Sequence, residues 1–171
     1  MAIESNESES RISSMFIVRR AGEEDSEGIW RVHTRAIREI ANSHYTPEET
    51  EAWASPRKPE HYVESIRNKE FYVAEEDGAV IGFGTLNHKQ NEIEAVYVSP
   101  EVVRRGVGSA ILRRLEERAR ELGIRSLKMD ASLNAVPFYK TAGYESQQEM
   151  KHRLTSGVEI GCVLMTKELS P

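Results

Sequence analysis

Two glycines that lie between an apolar strand pattern and a helix pattern are the first residues of this sequence that could do chemistry. Gly106 and Gly108 follow the apolar run Val96–Val98, and the arginines Arg104 and Arg105 directly precede them. Glycine lets the backbone approach a ligand closely, and the first N–H groups of a helix carry a partial positive charge. This order of elements predicts an anion site made largely of backbone amides.

Two common phosphate-binding loops do not fit these glycines. A nucleoside-triphosphate loop requires a lysine followed by serine or threonine after the second glycine, and neither is present. A dinucleotide fold requires a third glycine where this chain has Ile111. For Gly106 and Gly108 considered alone, an ordinary tight turn without a ligand remains the alternative.

A second motif begins at Asn134, after a short apolar strand pattern at 127–130. Asparagine is a good N-cap, Pro137 suits the first turn of a helix, and Gly143 can supply a left-handed residue at the end. The segment therefore predicts a short helix capped by Asn134. Its aromatic residues could equally be core residues if the motif stood alone.

Taken together and in this order, the two motifs resemble those of the GCN5-related N-acetyltransferase (GNAT) superfamily, in particular its small bacterial-type members. The first motif reads Val103-Arg104-Arg105-Gly106-Val107-Gly108, with Val103 where the family usually has glutamine or arginine. The second, Asn134 to Tyr144, matches the family's pattern of asparagine, proline, tyrosine and a glycine followed by an aromatic residue. The resemblance covers nearly everything after residue 15.

The resemblance implies that the loop holds the pyrophosphate of coenzyme A and that acetyl-CoA is the co-substrate. The residues that it assigns to the cofactor are Val96, Tyr97, Val98, Arg104, Arg105, Gly106, Val107, Gly108, Ser109 and Asn134. We expect no metal, because the five histidines have neither ligand spacing within a helix nor companion cysteines.

The resemblance also implies direct transfer of the acetyl group to a primary amine, so a base must remove a proton from an ammonium group whose pKa is about 10. Glu92 and Glu94 alternate along one strand and can project from the same face. Glu92 has the loop position of the base in the family's histone-modifying members, whereas Glu94 lies nearer the thioester. We favour Glu94 and keep both as candidates. Tyr139 matches the family's tyrosine acid, which protonates the leaving thiolate.

The acceptor is a small molecule or a peptide that the sequence does not identify. In the family, the first helices form the acceptor pocket, and here they contain His33, His44, Tyr45, Trp53 and Tyr62. The alternative function is a catalytically inactive acyl-CoA-binding sensor or regulatory module. Homodimers are common in the superfamily, so a homodimer is possible by analogy.

Composition narrows the class of protein. The chain has 171 residues and a net charge of −5, which argues against general attraction to nucleic acid. No apolar run approaches the roughly 20 residues that span a bilayer. A single cysteine, Cys162, in an apolar run, fits a buried strand residue and a reducing compartment, so we expect a cytoplasmic protein.

These residues must be positioned by an α+β fold. Strand patterns occur at 16–19, 71–74, 80–86, 93–98, 148–154 and 158–166, and helix patterns at 29–40 and 111–122. The resemblance implies a GNAT-type α/β/α sandwich around a mixed, mostly antiparallel central sheet. We expect residues 15–171 to form a single N-acetyltransferase (GNAT) domain and residues 1–14 to form a flexible N-terminal tail.

Overall fold

Seven strands form one sheet in residues 15–171, the part of the chain that the computed structural model describes. The strands are β1 (Phe16–Arg20), β2 (Glu70–Glu76), β3 (Ala79–Asn87), β4 (Glu92–Val98), β5 (Ser126–Ser132), β6 (Glu145–Arg153) and β7 (Glu159–Glu168). Their spatial order is β1-β2-β3-β4-β5-β7-β6, and β4–β5 is the one parallel pair in this described sheet. The predicted mixed, mostly antiparallel sheet is confirmed. The tail predicted at 1–14 lies outside the described residues.

Helices cover both faces of the sheet. They are α1 (Ser26–Glu39), α2 (Pro47–Ala54), α3 (Val63–Asn68), α4 (Val107–Glu121) and α5 (Val136–Thr141). Alternate residues of β2 divide between the two faces, because Phe71 packs with Ile29 of α1 while Tyr72 packs with Ile111 of α4. The predicted α+β sandwich is therefore confirmed. Among the described residues, no helix has the length and apolar character needed to cross a bilayer.

Helix α4 packs directly on the backbone of β3. A Cβ atom added at Gly84 would lie 2.5 Å from Ile111 Cγ2 and 2.8 Å from Leu115 Cδ1. These distances are too short for a real contact, so this close approach requires glycine. The contact fixes the start of α4, and with it the preceding loop, relative to the end of β4.

Strands β4 and β5 diverge after a single paired position, Glu92 with Lys128. A register shift in the β3–β4 ladder pairs Leu86 with Ile93 and Thr85 with Ala95, so that Glu94 is the extra residue of a bulge. The sheet therefore opens between the ends of β4 and β5.

One local prediction about the short helix is wrong. Asn134 does not cap α5, because it lies inside a 3-10 turn (Leu133–Ala135) and Ala135 occupies the N-cap position. The turn continues β5 smoothly into the helix, which leaves the amide of Asn134 free of a capping role. Pro137 lies in the first turn and Gly143 has a left-handed φ of +94°, as the sequence predicted.

Candidate functional site

A cavity of about 760 Å³ lies at the end of β4, between the start of α4 and the start of α5. All the residues that the sequence assigned to the cofactor line it, except Arg105. They are Val96, Tyr97, Val98, Arg104, Gly106, Val107, Gly108, Ser109 and Asn134. The fold thus brings the two sequence motifs to one place, although they are about thirty residues apart in the chain.

The loop before α4 presents backbone amides to this cavity. Arg104 and Gly106 both have left-handed φ values, +67° and +79°. The helix begins at Val107, and its first internal hydrogen bond runs from the N–H of Ala110 to the carbonyl of Gly106 at 3.0 Å. The N–H groups of residues 107–109 therefore have no acceptor within the described chain, and successive free N–H groups at a helix start favour an anion.

The two glycines of the loop have different surroundings. A Cβ atom at Gly106 would have no atom within 4 Å, so glycine is needed there for its backbone conformation and not for space. A Cβ atom at Gly108 would lie 3.4 Å from both Phe138 and Val98, which are themselves lining residues. A methyl group at Gly108 would just contact these walls, and a side chain larger than that of alanine would enter the cavity or displace them.

The two loop arginines point to different partners. Arg105 donates to Glu76 at the end of β2, with Nη1 to Oε1 at 3.2 Å, and this contact lowers the pKa of Glu76. The structure therefore does not bring Arg105 to the cavity, because a carboxylate on the neighbouring strand holds it away. Arg104 lines the cavity and has no salt bridge within residues 15–171.

The wall of the larger cavity opposite the loop contains an unpaired polar atom. The Oδ1 atom of Asn134 is buried and has no hydrogen-bond partner among the described residues. Buried side-chain acceptors are nearly always satisfied in folded proteins, so an orphan in a cavity wall indicates a donor supplied by a ligand.

The free edge of β4 adds a third polar surface. The N–H of Ser99 donates to the carbonyl of Ile81 on the β3 side, at 2.8 Å. Because successive N–H groups of a strand point to opposite edges, the N–H of Val98 points toward the gap left by β5. The gap can therefore accept an extended chain that bonds to β4 as a strand would.

A second cavity, of about 300 Å³, meets the first at Trp53, Tyr97 and Ser132, which line both. It is further lined by Glu92, Glu94, Asp130, Arg57, His33, Tyr45, His152 and Cys162, among others. The hydroxyl of Tyr45 donates to the carbonyl of Gly161 at 2.6 Å and accepts from the N–H of Leu133 at 2.9 Å. Tyr45 thereby ties the segment after α1 to β7 and to the turn after β5.

The structure places both candidate glutamates in this smaller cavity, in different electrostatic states. Glu94 accepts from Lys69 and, at 3.0 Å, from Asn87. Glu92 forms no salt bridge with any described residue, and burial raises its pKa above the usual value. Of the two candidates, Glu92 is therefore the carboxylate that no described cationic side chain neutralises by a salt bridge.

Tyr139 lies behind the lining residue Phe138. Its side chain is 6% exposed and packs against Phe138 and Tyr144, with ring centroids 5.0 and 5.8 Å away. Burial raises its pKa, so the hydroxyl stays protonated. It makes no hydrogen bond with any described residue, which leaves the proton available to a group that reaches it.

The sequence predicted some of the residues that line the smaller cavity and missed others. His33, Tyr45 and Trp53 line the cavity as expected, whereas His44 is exposed and bonds to Ser43. The sequence did not point to Arg57 or Asp130. Arg57 stands in a proline-interrupted segment without periodicity, and Asp130 alternates along an ordinary strand.

Cys162 is buried in β7, as predicted from its apolar run. It lines the smaller cavity, and burial raises the pKa of its thiol. A raised pKa leaves little thiolate at neutral pH, which disfavours a role as nucleophile.

Comparison with known proteins agrees with this architecture. The acetyltransferase (GNAT) domain family matches residues 41–168. The uncharacterized N-acetyltransferase YafP of Escherichia coli is 28% identical over 127 residues, which cover 74% of this chain and 79% of YafP.

Two solved structures share the fold. A GCN5-related N-acetyltransferase from Rhodopseudomonas palustris superposes with a TM-score of 0.86 at 28% identity, covering 91% of this chain and 97% of that one. The PaiA N-acetyltransferase of Thermoplasma acidophilum, solved in complex with coenzyme A, superposes with a TM-score of 0.75 at 20% identity, covering 90% and 99%.

Proposed function

The chain belongs to the GNAT acetyltransferase family and is an acyltransferase, and from this premise we propose that it transfers an acetyl group from acetyl-CoA to a primary amine. The observation that carries the proposal is the continuity of the site. Free amides of the α4 start open on a cavity that runs along the free edge of β4 and meets a second, carboxylate-containing cavity. A donor with a diphosphate and an extended arm fits the first cavity, and an amine fits the second.

The residues of the larger cavity suit coenzyme A in their chemistry. The N–H groups of residues 107–109 and the guanidinium of Arg104 hold the pyrophosphate. The free edge of β4 bonds the amide groups of the pantetheine arm, and the orphan Oδ1 of Asn134 accepts a hydrogen bond from the same ligand. Bound acetyl-CoA supplies the activated acetyl thioester.

Three groups supply the proton transfers and the charge stabilisation: Glu92 in the smaller cavity, the N–H of Val98 at the larger cavity, and Tyr139, which lines neither cavity and lies behind Phe138. Glu92, directly or through a water molecule, takes the proton that the amine must lose before its nitrogen can form the new C–N bond. The N–H of Val98 stabilises the negative charge that develops on the thioester oxygen. The C–S bond breaks, Tyr139 donates its proton to the leaving sulfur, and the second proton that the nitrogen loses as the amide forms restores the Tyr139 hydroxyl through solvent.

Release of free thiol from acetyl-CoA across a panel of amines and peptides tests the proposal, together with thermal unfolding in the presence of acetyl-CoA alone. We expect acetyl-CoA to raise the melting temperature and thiol to appear with at least one amine. Stabilisation without thiol release from any acceptor would favour the acyl-CoA sensor instead. Absence of both effects would overturn the proposal.

We also propose a cytoplasmic location for this enzyme. Its single cysteine is buried and cannot form an internal disulfide, which fits a reducing compartment. Fractionation of cells that express the tagged protein tests this proposal, and recovery from another compartment would contradict it.

A further inference from the structure

The smaller cavity contains charges of both signs that no salt bridge neutralises within residues 15–171. Glu92 and Asp130 stand on the neighbouring strands β4 and β5, and Arg57 follows α2 in the layer of helices above them. Glu94 differs, because Lys69 pairs with it. One cation and two carboxylates therefore remain for a ligand in a cavity of about 300 Å³.

Arg57 is held in place by its neighbours. Its Nη1 atom donates to the carbonyl of Trp53, and its own carbonyl accepts from Nε1 of Trp30 at 2.9 Å. A guanidinium has five N–H donors in a fixed plane, and one contact leaves most of them free. Arg57 thus presents a charged, oriented donor group to the cavity.

His33 supplies a second donor beside Arg57. The residue is 7% exposed, and burial, with a smaller effect from the charge of Arg57, lowers its pKa well below the usual value, so the ring is neutral. Its Nδ1 atom lies 2.8 Å from the hydroxyl of Tyr62, and its Nε2 atom is buried without a partner in the described chain.

The tautomer of His33 decides which donor is left unpaired. If Nδ1 carried the proton and donated it to Tyr62, the hydroxyl proton of Tyr62 would need an acceptor, and no other described residue bonds to it. Donation from Tyr62 to Nδ1 instead places the ring proton on Nε2, so that the one unpaired donor belongs to a residue that lines the cavity. In this tautomer a neutral N–H donor and a guanidinium line the same cavity, and the two together suit an anionic oxygen group.

We infer that the acceptor is a small primary amine that also carries a carboxylate, such as an amino acid, an inference that rests on the proposed acetyl transfer. Arg57 and the Nε2–H of His33 bind the carboxylate, while Glu92 and Asp130 face the ammonium group. Tyr45, Trp53 and Tyr97 provide aromatic walls for the carbon skeleton between them. The volume stands at the lower end of the ~300–1,000 Å³ range of small-molecule sites, which suits an acceptor of this size.

An amine without a carboxylate would leave the Arg57 guanidinium and the His33 donor desolvated and unpaired. Sites built to bond a polar group discriminate strongly against analogues that lack it. The expected preference for the carboxylated amine is roughly tenfold to hundredfold in kcat/KM, from the ~1.5–3 kcal/mol of a hydrogen bond to a charged group.

The test compares matched pairs of amines that differ only in the carboxylate: phenylalanine with phenethylamine, tryptophan with tryptamine, and lysine with cadaverine. Each is assayed by thiol release with wild type, Arg57→Gln, Arg57→Lys and the control Arg67→Gln. Arg67 is exposed on α3 and pairs with Glu23, outside both cavities. Binding of acetyl-CoA to each variant is measured separately by thermal unfolding.

The expected result is a wild-type preference for at least one carboxylated amine. Arg57→Gln abolishes this preference, Arg57→Lys retains part of it, and Arg67→Gln retains all of it. Equal or better use of the decarboxylated amines, or of lysine-containing peptides, would overturn the inference and leave acetyl transfer standing. A preference that Arg57→Gln does not change would also overturn it. Failure of acetyl-CoA to bind would overturn the proposed function first, and the inference with it.

Discussion

Replacing Glu92 by glutamine removes the proposed base and keeps nearly the same shape. Glu92 has no salt-bridge partner in the described chain, and its pKa is raised by burial, whereas Glu94 accepts from Lys69 and Asn87. A positioned general base contributes about 10²- to 10⁴-fold to the rate, which is about 2.7–5.4 kcal/mol at 1.36 kcal/mol per factor of ten. We expect Glu92→Gln to lower kcat/KM within this range.

Thiol release with saturating acetyl-CoA, followed from mildly acidic to mildly alkaline pH, measures the effect. Only the deprotonated carboxylate can accept a proton, so the wild-type rate falls as pH drops through the raised pKa of Glu92. This acidic limb disappears in Glu92→Gln. The matched control Glu94→Gln loses an ion pair near the cavity but keeps the limb. If Glu92→Gln keeps both the wild-type rate and the acidic limb, Glu92 is not the base.

Glu92→Gln is expected to lower the catalytic rate but to raise the melting temperature at neutral pH. A raised pKa means that the folded protein disfavours the ionised form of Glu92, so ionisation destabilises the fold as pH rises through the folded-state pKa. Glu92→Gln is therefore expected to melt higher than wild type at neutral pH, with the difference vanishing at acidic pH. Thermal unfolding at several pH values checks this. A variant that melts lower at neutral pH would contradict the assigned direction of the pKa shift.

Three further predictions concern the acid, the loop and the core. Tyr139→Phe lowers kcat because the leaving sulfur loses its proton donor, while acetyl-CoA affinity changes little; an unchanged kcat with saturating acceptor would remove Tyr139 from this role. Arg104→Gln weakens acetyl-CoA binding by roughly tenfold, about the contribution of one charged hydrogen bond, whereas Arg105→Gln changes it far less, and calorimetric titration compares the two. Gly84→Ala destabilises the fold by about 1–3 kcal/mol in denaturant unfolding, because the new methyl group would overlap Ile111; wild-type stability would contradict this packing.

Local chemistry made the larger cavity predictable from sequence. Gly106 is needed for its left-handed backbone, Gly108 keeps a side chain out of the space beside Phe138 and Val98, and the free N–H groups of a helix start favour an anion. The hairpin at Asp77 and Gly78 was predictable for the same reason, since both residues adopt the left-handed backbone that such turns require.

Long-range contacts made the rest of the site unpredictable. The bulge at Glu94 depends on how β4 aligns with β3, and no residue of β4 signals it. The sequence does not distinguish Arg105 from Arg104, because the salt bridge of Arg105 is formed with Glu76 on another strand. Arg57 reaches the smaller cavity through an irregular segment that has no periodic pattern. Each of these outcomes is decided by neighbours that are distant in the chain.

The single paired position between β4 and β5 makes the sheet two half-sheets joined along a seam. One half comprises β1–β4 under α4 and the other β5–β7 with α5, and the hydroxyl of Tyr45, from the segment after α1, bonds to the second half. In the proposed complex, the extended arm of acetyl-CoA lies against β4, where the hydrogen bonds to β5 are missing. In that complex the amides of the donor extend the hydrogen-bond ladder of β4, so that the donor joins the two half-sheets as well as reacting.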